Sequence, residues 1–161
     1  MSHAESIASE LRNALRGDAW HGPALLEILE GVSAEEAVQR AIPAGHSIWE
    51  LVLHITSWAE IVRRRITGGH PAPGDGEDWP ETGEPTDARW KAAVDALTAS
   101  HEQLCDTVAG LSNDALDADA PGSDKSVAWM LHGTAQHDAY HGGQIVMLKK
   151  LVTTKQRRAA L

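Results

Sequence analysis

The stretch from Ser126 to Leu151 places the strongest limit on what this chain can become. Within it Val127, Met130, Leu131, Thr134, Ala135, Ile145 and Leu148 recur at helical spacing, which predicts one long helix. The same stretch carries His137-Asp138-Ala139-Tyr140-His141. Residues four apart on a helix lie one above the other on a single face, so His137 and His141 can turn their imidazoles toward one metal ion. The spacing alone is weakly specific. A chain of 161 residues with nine histidines often produces such a pair for packing reasons.

The remainder reads as further helices and their connections. Ala4 to Arg16 sets Ile7, Ala8, Leu11, Ala14 and Leu15 on one face, a short amphipathic helix ended by Gly17-Asp18. Gly22-Pro23 then opens a helical piece through Leu29, with Pro23 in its first turn. The two pieces can act as one interrupted helix. Ser33-Ala34-Glu35-Glu36 is a capping box opening a short helix to about Arg40, and Ser47-Ile48-Trp49-Glu50 opens a long one to about Thr67. Leu51, Ile55, Trp58, Ile61 and Val62 form the apolar face of that long helix, and Arg63, Arg64 and Arg65 suit the negative end of its dipole. Gly68-Gly69 stops it.

From Gly68 to Pro85 the chain is rich in Gly, Pro, Asp and Glu, with Trp79 as its large apolar side chain. Such a connection either covers one end of a site or crosses between helices along the length of a bundle. Thr86 or Asp87 caps a third long helix to about Leu111, burying Trp90, Val94, Leu97, His101, Leu104 and Val108. Leu111 to Asp124 is an acidic connection to the last helix. Strand-like alternation and hairpin signals are missing. The expectation is one all-α domain over residues 1–161, a four-helix bundle with short accessory helices.

Composition narrows the function classes. Hydrophobic residues at 42% and charged residues at 23% fit a globular chain able to bury its own core. A formal charge of -9 argues against nucleic-acid or anionic-membrane partners, and Lys155-Gln156-Arg157-Arg158 reads as a solvated basic tail. Met1 to Gly17 does not resemble a signal peptide, and no apolar run is long enough to span a bilayer. Cys105, the single cysteine, fits packing in a reducing compartment, so a cytoplasmic protein is expected. Six Trp stand beside one Tyr and no Phe. A buried indole N–H needs a partner, so several of these tryptophans are expected at a pocket or interface.

A helical bundle can build a metal site from side chains on facing helices. Besides His137 and His141, the candidate third ligand is His54, on or near the apolar face shared by Leu51, Ile55 and Trp58. A histidine there must find a metal or a hydrogen-bond partner, and either would satisfy it.

The segments His46-Ser47-Ile48-Trp49-Glu50-Leu51-Val52-Leu53-His54-Ile55 and Leu131-His132-Gly133-Thr134-Ala135-Gln136-His137-Asp138-Ala139-Tyr140-His141-Gly142-Gly143-Gln144-Ile145 resemble the DinB-like superfamily of metalloenzymes. The resemblance extends over most of the chain, including the helix order and the long connection. It implies an up-down-down-up four-helix bundle, often homodimeric, with a divalent metal held by His54, His137 and His141. Zinc or nickel suits three imidazoles, which leave a coordination position open as catalytic sites do. That position fits a water activated for hydrolysis or the thiolate of a low-molecular-weight thiol. The resemblance therefore implies a metal-dependent enzyme acting on a small molecule, as a hydrolase or a thiol S-transferase. The alternative is a non-catalytic metal-binding and dimerisation module of a stress response, or a plain bundle whose histidines bond to one another.

Other polar residues have narrower readings. Glu50, one turn before His54, can orient that ring or act as a base, although the capping box already explains it. Gln144 lies near the ligand face and can hydrogen-bond to substrate. Asp138 points away from that face, toward a supporting or interhelical role. Tyr140 lines a pocket or packs, His132 sits in a polar core or interface position, and His21 faces the site if the first helices pack there. His101 reads as packing, and His3, His46 and His70 as terminal or loop residues.

Overall fold

The computed structural model describes residues 1–69 and 72–159, with side chains through Thr154. His70 and the side chains of Lys155, Gln156, Arg157 and Arg158 lie outside the described residues. The elements are α1 (His3–Arg16), α2 (Leu25–Leu29), α3 (Ala34–Val38), α4 (Ile48–Ile66), α5 (Asp87–Ala109), α6 (Asn113–Asp117) and α7 (Val127–Ala159), with no strand among the described residues.

Capping side chains set most of the helix starts. Ser33 and Ser47 each accept from the backbone N–H three residues on, while Glu36 and Glu50 reach back to the cap N–H, as the sequence predicts. Ser2 and Glu5 make a further capping box at the start of α1, so that helix begins at His3. Pro23 is not in the first turn of α2. The cap falls at Ala24, one residue after the proline, and its N–H donates to Glu27 Oε2 at 2.7 Å, so that α2 begins at Leu25.

Gly68 ends α4 in the left-handed region at φ 85. Its N–H reaches the Arg65 carbonyl, and the Gly69 N–H reaches that of Arg64 at 2.8 Å. This paired closure satisfies two carbonyls that would otherwise face solvent alone, and it favours a residue without Cβ at position 68. Helix α7 starts under the Ser126 hydroxyl, which accepts from the Trp129 N–H, and continues eight residues past Leu151. The added turns carry Thr153 and Thr154, whose hydroxyls bond back to the carbonyls of Lys149 and Lys150.

The four long helices form a ring in which α1 and α4 each lie between α5 and α7. Their directions follow from side-chain pairs. Arg12 meets Asp106 while Arg16 meets Glu102, so α1 and α5 are antiparallel. Trp49 packs on Trp90 at the start of both helices, making α4 and α5 parallel. His54 meets His137 and Arg65 meets Met130, so α4 and α7 are antiparallel.

Two parallel neighbours joined in sequence need a connection that returns along the bundle. The segment between α4 and α5 makes that return. Leu15, Trp49, Ile55, Trp90, Leu97 and Ile145 fill one end of the core, and Ile7, Leu11, Val62, Leu104, Val108 and Leu131 the other. Five-residue α6, inside the expected connection, drops the fully buried Leu116 into that second end. The histidines lie along the α4–α7 contact.

Candidate metal centre

His54 on α4 and His137 and His141 on α7 place one ring nitrogen each within 4.8 Å of one another. The Nε2 of His137 lies 3.0 Å from that of His54 and 3.1 Å from that of His141. His54 and His141 are buried, and His137 is half-buried.

The opposite nitrogens decide which atoms are free to bind. His54 Nδ1 donates to the Asp78 carbonyl at 2.6 Å, and His141 Nδ1 donates to Gln144 Oε1 at 2.7 Å. Both acceptors lack a proton to give, so each ring carries hydrogen on Nδ1 and turns an Nε2 lone pair to the centre. His137 Nε2 can present a proton to one of these lone pairs, not both. A cation between the three nitrogens satisfies all of them at once, so the donor set fits a divalent ion. His137 Nδ1 is buried without a hydrogen-bond partner, 3.9 Å from Asp138 Oδ1. Burial is the main influence on both His54 and His141 and, with the neighbouring histidines, holds them below the usual imidazole range. Neutral rings are the form that ligates metal.

The crossover between α4 and α5 covers this centre, so it acts in both of the ways its sequence allows. Trp79 stacks on His54 at 4.0 Å with planes 11° apart, and His46 stacks on the other face of Trp79 at 3.6 Å. Asp78 Oδ1 accepts from Trp58 Nε1 at 2.8 Å. Glu77 takes both terminal nitrogens of Arg64, at 3.0 and 2.9 Å, and its carbonyl accepts from the Ser57 hydroxyl. Arg64 thus anchors the crossover as well as facing the helix dipole.

The remaining candidates are redistributed. Glu50 is taken up by the Ser47 cap and by Arg40, which outweigh burial and hold its carboxyl below the usual range. It is not among the groups gathered at the three histidines. Gln144 acts on the centre by orienting His141. Tyr140 is exposed, with its ring edge-on to His141. His132 pairs with Glu10 on α1 at 2.8 Å, and His21 lies at clefts between α1 and α7, apart from the cluster.

His101 is more than packing. It is fully buried, its Nδ1 donates to the Leu97 carbonyl, and its Nε2 donates to Asp138 Oδ2 at 3.1 Å. Burial opposes charge on both partners, but their mutual attraction wins, raising His101 and lowering Asp138. The pair ties α5 to α7 across the middle of the ring, next to His137. His101 falls on the expected buried face of its helix, so sequence offered only the pattern of an apolar contact.

On its open side the centre adjoins a cleft of about 440 Å³ lined by Trp58, Trp129, Met130, Gly133 and Arg65. This chain is therefore a helical bundle with a three-histidine centre and an adjoining small-molecule-sized cleft. The family model for the DinB superfamily matches residues 19–145, and the chain belongs to that superfamily. No curated protein and no solved structure matches it significantly.

Proposed function

We propose that the protein is a metal-dependent enzyme acting on a small molecule, as a hydrolase or a low-molecular-weight-thiol S-transferase. The observation that carries this reading is the convergence of three Nε2 atoms whose rings at His54 and His141 are fixed by hydrogen bonds on the far side. His54, His137 and His141 would hold the ion, zinc or nickel by the chemistry of imidazole donors. When bound, such an ion supplies Lewis acidity that lowers the pKa of a water or thiol sharing its coordination sphere.

The chain's own residues do the rest. Asp78 and Gln144 hold two of the rings in their working tautomer. Trp79 shields one side of His54 from water, while Trp58 and Trp129 give the cleft apolar walls for a substrate body. The adjoining cleft supports an enzyme over a module that binds metal only for stability, because it gives a substrate a place beside the three histidines.

The test is the metal content of purified, untagged protein beside His54→Ala and His141→Ala. The expected result is one zinc or nickel per chain in the parent, little in either variant, and unchanged helical circular dichroism. Ester, amide and thiol-transfer substrates would then be screened against the loaded parent. A parent that takes up neither metal after incubation would refute the reading.

A further inference from the structure

Two of the three histidines have the nitrogen away from the centre satisfied, and the third does not. His54 Nδ1 donates to the Asp78 carbonyl and His141 Nδ1 to Gln144 Oε1. His137 Nδ1 is buried and has no hydrogen-bond partner among the described residues. Buried polar atoms in that state are rare and costly, so this one calls for an explanation. Asp138 Oδ1 lies 3.9 Å from it, beyond a hydrogen bond but within reach of one after a small turn of the ring.

The position of Asp138 follows from the helix. Successive helical residues point about 100° apart, so His137 is directed at α4 while Asp138 is directed across the ring at α5. The Asp138 side chain is only 1% exposed. There His101, itself fully buried, donates from Nε2 to Oδ2 at 3.1 Å, and its Nδ1 is fixed on the Leu97 carbonyl at 3.0 Å. One carboxylate oxygen is thus held from the far side of the bundle, and the other is the one beside His137. Asp138 is not among the groups gathered with the three ring nitrogens, so its place is behind a ligand and not as one.

We propose that Asp138 and His101 are positioning residues for the metal centre: Asp138 Oδ1 accepts from His137 Nδ1 when that ring turns its Nε2 lone pair to the ion, and His101 holds the carboxylate in place to do so. The proposal rests on the metal reading above. A neutral imidazole carries one N–H, and in the metal-free cluster the His137 proton is best used at Nε2, bonded to the lone pair of His54 or His141. Once those lone pairs face an ion, the His137 lone pair is wanted there too, and its proton passes to Nδ1 with Asp138 as the acceptor at hand. All three rings then carry hydrogen on Nδ1 with an acceptor behind it, and His137 alone has a charged one. An ionised acceptor makes a hydrogen bond roughly twice as strong as a neutral one. It also raises the basicity of the nitrogen that faces the ion.

The test compares the parent with Asp138→Asn, His101→Ala and His101→Gln. Asparagine keeps the size and a carbonyl oxygen without the charge, and its amide can donate to a neutral His101, so the buried contact stays bonded. Zinc affinity, read by competition with a chelator, should fall about tenfold in Asp138→Asn and in His101→Ala. His101→Gln, whose amide keeps a donor for Asp138, should recover most of that loss. Proton–nitrogen correlation spectra of the zinc-loaded parent should show hydrogen on Nδ1 in all three rings, with the His137 proton furthest downfield. In Asp138→Asn that proton alone should move upfield, a selectivity that general loosening of the fold would not produce. Parent-like affinity in Asp138→Asn, zinc on His137 Nδ1, shifts shared by all three rings, or His101→Gln no tighter than His101→Ala would overturn the proposal and leave the metal centre standing. A parent that takes up neither zinc nor nickel would remove the metal reading, and this proposal with it.

Discussion

His101 and Asp138 show how much one buried contact can hold. Both acceptors around the His101 ring are oxygen atoms without protons, so the fully bonded form is the imidazolium facing the Asp138 carboxylate. His101 is raised, so its contribution is complete below the ordinary imidazole value of about 6.5 and is lost as pH rises through the raised value. Asp138 is lowered, so its contribution is present above the ordinary aspartate range and is lost as pH falls through the depressed value. His101→Ala should destabilise metal-free protein by about 3–5 kcal/mol, because it strands a buried carboxylate. In urea titrations that deficit should be largest at mildly acid pH and shrink as the parent's His101 deprotonates. A deficit that stays flat into alkaline pH would mean that the ring is neutral throughout.

At the scale of elements, the crossover does more than link α4 to α5. Because those helices are parallel, it must pass back along the bundle, and the α4–α7 site lies on its way. Its backbone supplies the carbonyl that sets the His54 tautomer, and its Trp79 covers the ring. Trp79→Ala removes that cover without touching the three histidines. Zinc affinity should fall about tenfold, the low end of the range for groups that orient metal ligands, with helical content unchanged. Competition against a chromophoric chelator measures this, and parent-like affinity would show that the Asp78 carbonyl alone suffices. Gly142 has a related part at the α2–α7 contact. A Cβ there would meet Ile28 Cδ1 at 3.3 Å, so glycine lets α2 press against α7 beside His141.

Across the whole molecule, α7 is the element that every part of the structure meets. One face supplies two histidines, another supplies the Asp138 contact to α5, and a third stays in solvent with Tyr140, Met147 and Leu151 exposed. Those three recur seven and four residues apart on one helical stripe. We propose this stripe as the face of a homodimer, since large apolar groups aligned on a helix are partner surfaces more often than isolated ones are. Light scattering after gel filtration should give a dimer for the parent and a monomer for Met147→Glu, and a monomeric parent would refute the pairing. Among the described residues, no helix is long and apolar enough to cross a membrane.

The sequence by itself determined the helices, because caps and apolar spacing are local. Ser47 with Glu50, Gly68-Gly69 and the repeat along α7 could each be read within a few residues of chain. It also carried the three histidines as a pattern, and the family resemblance named them as a set. What it could not carry was α6, a single turn and a half held in place by Leu116 falling into the core, nor the last turns of α7, which lack an apolar repeat. It could not separate His101 from a packing residue, or assign Gln144 to His141 and the Asp78 carbonyl to His54. Those facts depend on which side chains meet across the ring, often from residues far apart in sequence. Only tertiary packing brings such groups within hydrogen-bonding distance, and that packing turned three histidines on two helices into one centre.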